Sequence, residues 1–302
     1  MTAETNRWPH GKVGVVAIVG RPNVGKSTFL NQALGYHLTA VTNRPQTTRK
    51  HWRGFLSTDD GQIIFVDTPG IHKEQDELGK SMLFSVHGAM KDADAVLCIC
   101  DPTRNPGRED NLVIERTAKS KVPVLLVMNK ADVADAEQQE ASRAAYRAGL
   151  PDLRGEYLVS AKTGDGVPEL LQATRDLLPE GPFLFPADEL SDSYERDIGA
   201  ELIREAAMEL LYDEVPHCLA VQIDEWKETE KGPNIMATLL VETESQKAIV
   251  IGKQGSVISK IRKNAQARLK DNVEGTPRLA LYVKVSPSWR NRRTTLRELG
   301  LS

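Results

Sequence analysis

Cysteine is scarce in this chain, with three in 302 residues. Cys98 and Cys100 sit two apart in an apolar run, a spacing that places both on one face of a strand and suits no disulfide. Long hydrophobic runs are also missing. The longest, residues 13–19 and 122–128, are far too short to cross a bilayer. Residues 1–12 are polar and hold no apolar core of a secretory signal. Internal repeats and low-complexity tracts are lacking too. These absences exclude a disulfide scaffold and a helical membrane protein, and they lead us to expect a soluble, reduced, cytoplasmic one. What is present is globular in character: 40% apolar and 27% charged residues, in a length that suits two domains.

The net charge of −3 conceals an asymmetry. Residues 245–302 carry 13 Lys and Arg against 3 Asp and Glu, whereas residues 183–244 carry 4 against 16. A basic end on a mildly acidic protein points to a polyanionic partner, RNA first. Pairing of the basic end with the acidic stretch before it explains the same numbers.

Residues 13–182 alternate short β-branched runs with longer helical stretches. Strands are expected over 13–19, 52–58, 62–66, 95–101, 124–128 and 156–159, and helices over 26–34, 78–90, 108–119, 134–148 and 167–178. The alternation predicts an α/β domain, a mostly parallel sheet with helices on both faces. Leu178-Pro179-Glu180-Gly181-Pro182 breaks the pattern. Beyond it we expect a long helix (194–211), strands over 217–226 and 233–242, a basic helix (257–270) and a last strand (278–285), an α+β unit. The expected division is a flexible terminus (1–12), an α/β domain (13–180), a linker (181–192) and a C-terminal domain with its tail (193–302).

Gly20-Arg21-Pro22-Asn23-Val24-Gly25-Lys26-Ser27 follows the first strand and opens the first helix. This is G-x-x-x-x-G-K-S, a loop whose backbone N–H groups close around phosphates at a helix N-terminus. Lys26 would reach the β- and γ-phosphates, Ser27 would give its hydroxyl to Mg²⁺, and Thr28 extends the contact. Asn129-Lys130-Ala131-Asp132 follows residues 124–128. The Asp132 carboxylate can accept from the N1–H and exocyclic amine that guanine presents together, and adenine would leave it unpaired. Asn129 and Lys130 would brace base and loop. Ser160-Ala161-Lys162 could meet the guanine O6 through a backbone N–H.

Asp67-Thr68-Pro69-Gly70 ends another strand: Asp67 can hold Mg²⁺ through a water and the Gly70 N–H can meet the γ-phosphate. A threonine in the 43–49 segment would complete the Mg²⁺ shell, and Thr48 is the choice. Residues 13–180 therefore resemble a Ras-like GTPase domain of the translation-factor-related class. Ile71 stands directly after D-x-x-G, where Ras carries its water-orienting glutamine. That hydrophobic residue resembles the bacterial subgroup containing the Era family and the tRNA-modifying GTPases. The resemblance implies that Asn23 helps place a K⁺ ion, and that Lys26, Asn23, Thr48 and Gly70 serve catalysis. Neither Gln46 nor Gln75, in the two switch segments, is expected to orient water.

Ile251-Gly252-Lys253-Gln254-Gly255-Ser256-Val257-Ile258 carries the I-G-x-x-G-x-x-I pattern of a KH domain. Its glycines let backbone approach sugar–phosphate, Ile251 and Ile258 would floor a groove, and Lys253, Gln254, Lys260, Arg262 and Lys263, with Arg268 and Lys270, would draw in the strand. Helix, strand, strand, GxxG helix, strand is the order of a type II KH fold. Trp289 could stack on RNA but better suits anchoring of the chain's end, and Trp226 is expected in the core. A GTPase domain followed by a KH domain is the architecture of the Era family, which this chain resembles over nearly its whole length. Era-like proteins usually carry glycine where this chain has Arg262. The resemblance implies a monomeric, GTP-hydrolysing factor that uses Mg²⁺, binds the 3′ end of 16S ribosomal RNA and acts in small-subunit assembly. Peripheral membrane association is a further implication. The rival expectations are a membrane-associated regulatory switch tied to growth or division, and an RNA chaperone in which GTP only stabilises the fold.

Overall fold

The structure, a computed structural model, describes residues 8–42, 48–71 and 76–301. They divide into two compact units: 8–38, 48–71 and 83–192 in one, and 39–42, 76–82 and 193–301 in the other.

Strand β1 (His10–Val19) leads through a loop into α1 (Lys26–Leu34), and β2 (Trp52–Thr58) and β3 (Gly61–Asp67) form a hairpin. There follow α2 (Glu77–Lys91), β4 (Ala95–Cys100), α3 (Arg108–Ala118), β5 (Val124–Met128), α4 (Ala136–Gly149), β6 (Leu153–Leu158), α5 (Val167–Asp176) and β7 (Glu180–Pro182). The sheet order is β2-β3-β1-β4-β5-β6, with β7 beside β1. β1, β3, β4, β5 and β6 run parallel, while β2 and β7 run against their neighbours. β4 and β5 are buried at every position, and for that reason they read as unbroken apolar runs rather than alternating ones. Parallel strands bring their C-terminal ends to one edge of the sheet. The segments after β1, β3, β5 and β6, which carry the four best-defined motifs, therefore meet there.

The ends of this unit differ from expectation. Residues 10–12 belong to β1, and the first part of the 181–192 segment, through Phe185, pairs with and packs on the sheet. Phe183 is buried, Phe185 stacks on Phe55 with ring centroids 3.9 Å apart, and the Gln62 amide donates to Phe185 O at 2.9 Å. One buried aromatic, one half-buried aromatic and a saturated amide hold the segment down, an outcome that its prolines disguise. Residues 1–7, Gln46 and Gln75 lie outside the described residues.

The second unit contains α6 (Glu195–Leu210), α7 (Val215–Cys218), β8 (Ala220–Lys227), β9 (Asn234–Val241), α8 (Glu244–Ile251), α9 (Ser256–Lys270), β10 (Arg278–Val285) and α10 (Arg293–Glu298). Its sheet order is β10-β9-β8, with β10 parallel to β9 and β8 antiparallel to it. α6 and α9 pack together, burying Leu202, Ile203 and Ala206 with Ile261, Ala265 and Leu269. Strand β8 starts at Ala220, later than expected, because Pro216 and His217 lie in α7. Helix α8 was not expected at all. Its signal is in the sequence as a capping box: Gln246 N donates to Thr243 Oγ1 and Thr243 N to Gln246 Oε1, both at 3.2 Å. Trp226 is half-buried against Gly199, where a Cβ would come within 2.6 Å of its ring. Trp289 is fully buried and donates through Nε1 to Cys218 O at 2.8 Å, so it anchors the chain's end and is not open for stacking.

Candidate functional sites

The loop between β1 and α1 is shaped by what surrounds it. Gly25 has φ +96°, and a Cβ there would lie 2.2 Å from Asn129 Nδ2. That amide is in use: Nδ2 donates to Val24 O at 2.7 Å, and Oδ1 accepts from Ala161 N at 2.9 Å. Asn129 thus stitches together the segments after β1, β5 and β6. Lys26 is buried, with Nζ donating to the carbonyls of Gly20 at 3.3 Å and Arg21 at 3.1 Å. Burial lowers its pKa to about 8, against the opposing pull of Asp67. A phosphate placed beside it would supply the missing counter-charge.

The three oxygen-bearing residues expected around Mg²⁺ come together. Ser27 Oγ donates to Asp67 Oδ2 at 2.7 Å and lies 2.7 Å from Thr48 Oγ1. Asp67 is fully buried, and burial raises its pKa to about 6 although Lys26, Ser27 and Thr48 oppose the shift. Its Oδ1 is buried without a hydrogen-bond partner among the described residues. An unpartnered carboxylate oxygen beside two hydroxyls is an all-oxygen donor set, the chemistry a hard divalent cation selects. Mg²⁺ therefore fits these residues, and when bound it would neutralise charge on phosphate oxygens.

The segment after β3 is pressed against the phosphate loop. Ile71 N donates to Gly20 O at 3.0 Å and Thr68 Oγ1 donates to Ile18 O at 2.7 Å. A Cβ on Gly70 would come within 2.7 Å of Pro22, so only glycine permits the approach. The Ile71 side chain is buried in the core with Val19 and Val86. On the base side, the exposed Asp132 accepts from the buried Ser160 Oγ at 2.8 Å, which orients its carboxylate. Lys130 adopts φ +64°, and its Nζ reaches Asp101 Oδ2 at 2.6 Å. Asn23, exposed at φ +62°, and Lys162, also exposed, lie at the surface. The sequence reading did not single out Asp101; it was absorbed into the end of an apolar strand, and its signal is a charge closing that run.

In the second unit, α8 ends at Gly252 (φ +73°), a 3₁₀ turn spans Lys253–Gly255, and α9 begins at Ser256. A Cβ at Gly252 would meet Val257 Cγ2 at 2.4 Å. Gly255, at φ +77°, has open space instead: a Cβ there would meet nothing nearer than Ile258 Cγ2 at 4.0 Å. Lys253 and Gln254 are exposed at the tip, and Ile251 and Ile258 are half-buried beside it. Lys260, Arg262 and Lys263 are exposed on α9. Arg262 leaves the helix unbroken because it points to solvent while Ile261 takes the core position. Arg268 does not belong with them: it pairs with Glu209 at 2.6 Å and lies 3.6 Å from Glu205, both on α6.

Together these features define a P-loop GTPase unit followed by a KH unit. The family model described as "50S ribosome-binding GTPase" matches residues 15–130, and the KH domain model matches residues 214–290. The chain is 42% identical over 290 residues to the GTPase Era of Clostridium botulinum (strain Kyoto), covering 96% of this chain and 98% of that one. It is 40% identical over 291 residues to the GTPase Era of Leuconostoc citreum, covering 96% of each. Among solved structures it resembles an Aquifex aeolicus Era variant bound to GDP·AlF4⁻ (TM-score 0.90, 36% identity, 96% of this chain and 99% of that one). It also resembles Era in complex with MgGDPNP and nucleotides 1506–1542 of 16S ribosomal RNA (TM-score 0.92, 36% identity, 97% and 100%). The chain belongs to the Era family of GTPases.

Proposed function

We propose that this GTPase binds the 3′ end of 16S ribosomal RNA through the Gly252–Gly255 turn and α9, and that it acts in small-subunit assembly. The observation that carries the reading is the turn itself: open space over Gly255, two exposed polar side chains at its tip, and the start of a 15-residue basic helix. Backbone donors at such a helix start favour phosphate, and the cations of α9 add attraction that is independent of sequence. A relative captured with nucleotides 1506–1542 supports the choice of RNA. We assign the GTPase domain to residues 10–192 and the KH domain with its tail to 193–302, working as a cytoplasmic monomer with any membrane contact peripheral. Among the described residues no helix is long and apolar enough to cross a membrane. Direct titration with the RNA 3′-end fragment tests the reading, and binding no tighter than to an unrelated single strand of equal length would defeat it.

In hydrolysis, Lys26 would hold the β- and γ-phosphates, Gly70 would offer its N–H to the γ-phosphate, and Ser27, Thr48 and Asp67 would hold Mg²⁺. Asp132, oriented by Ser160, reads guanine, with Lys162 on the same side; the Ala161 N–H, expected to meet the guanine O6, donates to the Asn129 side chain instead. Ile71 is buried in the core and cannot orient water. Positive charge near the phosphates must then come from Lys26 and from whatever Asn23 positions, with K⁺ the ion to test. Lys26→Ala should abolish turnover, and Asn23→Ala should slow it, in KCl above all. Gln46→Ala and Gln75→Ala should change the rate little in a phosphate-release assay. A loss of about 100-fold, roughly 2.7 kcal/mol of barrier, from either glutamine change would overturn this account.

A further inference from the structure

Arg21, inside the phosphate loop, is a buried cation held between two buried carboxylates. Its Nη2 lies 3.2 Å from Asp101 Oδ2 and its Nε lies 3.2 Å from Asp110 Oδ1. The same Asp101 oxygen accepts from Lys130 Nζ at 2.6 Å. The other oxygen of Asp101 accepts from Thr103 N at 3.0 Å and Thr103 Oγ1 at 2.6 Å. Asp110 is fixed as firmly, accepting from Tyr146 O–H and from Gly107 N, each at 2.9 Å. Burial pushes the Asp101 carboxyl up, but the hydrogen bonds from Lys130 and Thr103 outweigh it and hold the group below its ordinary range. An Arg–carboxylate cluster of this kind is a poor source of stability compared with apolar packing, so its value lies in what it orients. One carboxylate here joins the phosphate loop to the lysine of the base-reading loop. Asn129 joins the same two loops through a separate bond, to Val24.

We infer that Asp101 is a positioning residue that couples the phosphate loop to the base-reading loop through Arg21 and Lys130, so that bound nucleotide is released only when both loosen. Asp101 touches no nucleotide in this scheme; it acts by holding one cation from each loop on a single oxygen. Grip on the phosphates and grip on the base then cannot be lost independently. The inference rests on the nucleotide site proposed above.

The test is release of a fluorescent GDP analogue from the full-length protein, measured by stopped flow. Parent, Asp101→Asn and Asp101→Glu are compared, with a cycle of Arg21→Gln and Lys130→Met in the parent and in the Asp101→Asn background. Asp101→Asn should speed release about tenfold and Asp101→Glu should restore most of the parental rate. In the parent background the Arg21 and Lys130 changes together should speed release by less than the product of their separate effects. In the Asp101→Asn background that shortfall should vanish. Should an Arg21 or Asp101 variant fail to melt cooperatively, Thr103→Ala removes one Asp101 donor and should speed release about threefold. Its nucleotide-free melting temperature should stay unchanged. Release within twofold of parent in folded Asp101→Asn, or in Thr103→Ala if that variant alone folds, would overturn the inference, as would independent Arg21 and Lys130 effects in the parent. A parent that does not retain the analogue would instead defeat the nucleotide-site reading.

Discussion

Asp132→Asn will weaken GTP binding by about a hundredfold or more and will admit xanthosine triphosphate. The carboxylate accepts two hydrogen bonds side by side, from N1–H and from the exocyclic amine, while an amide can accept one and must donate the other. Against guanine the new N–H faces an amine, and donor meets donor in the base contact. Xanthine carries a carbonyl at that carbon and suits the amide. Ser160 Oγ, 2.8 Å from Asp132 Oδ1, keeps the side chain in place for either nucleotide. Competition of GTP and xanthosine triphosphate against a fluorescent guanine nucleotide measures the exchange. Unchanged GTP affinity in the folded variant would remove Asp132 from the site.

Changing Lys253 and Gln254 together to aspartate will abolish single-stranded RNA binding and leave GTP affinity as it is. Both residues are exposed at the tip of the turn, where two new negative charges would face incoming phosphates. Gln254 sits at φ +52°, a conformation that aspartate tolerates better than most residues, so the fold should survive and circular dichroism should show it. Residual binding should depend less on salt, the slope of log K against log salt falling by about 0.7 for each phosphate no longer neutralised. A folded variant that binds the 16S 3′ end as well as its parent would exclude this turn as the RNA site. The chain's basic end around residues 290–293 would then be the next place to test, with Arg292 and Arg293 exposed and Arg290 paired with Glu242 at 3.0 Å.

Much of this molecule could be read from residue order, for reasons that differ between its parts. Central strands such as 124–128 announced themselves because burial on both faces demands continuous apolar residues. The phosphate loop was legible because glycine is imposed at fixed points, at Gly20 by the Ile99 carbonyl and at Gly25 by the Asn129 amide. The convergence of Ser27 and Asp67 followed from motif order on parallel strands, and Thr48 joins them because antiparallel β2 starts at the same edge. Tertiary pairing was far harder to read. Nothing local to Phe183 and Phe185 shows that they pack on the sheet, and proline-rich sequence read as a linker. Arg268 looked like its basic neighbours on α9 until Glu205 and Glu209 of α6 were seen to face it. Arg21 is only one of the variable positions of the phosphate loop in the sequence, and its carboxylate partners lie 80 and 89 positions away. Helix α8 is the exception: its Thr243–Gln246 capping box is a local signal that residue order does carry. Charge patterns foretell that a surface is basic, but only the fold tells which charges remain unpaired.

The measurement that bears most directly on a GTPase working on ribosomal RNA is crosslinking of the protein to RNA in growing cells, followed by sequencing of the bound fragments. The account predicts fragments concentrated at the 3′ end of 16S ribosomal RNA, and their loss when Lys253 and Gln254 are both changed to aspartate. Fragments scattered over cellular RNA, or a 3′-end signal that survives the double change in a folded protein, would contradict it.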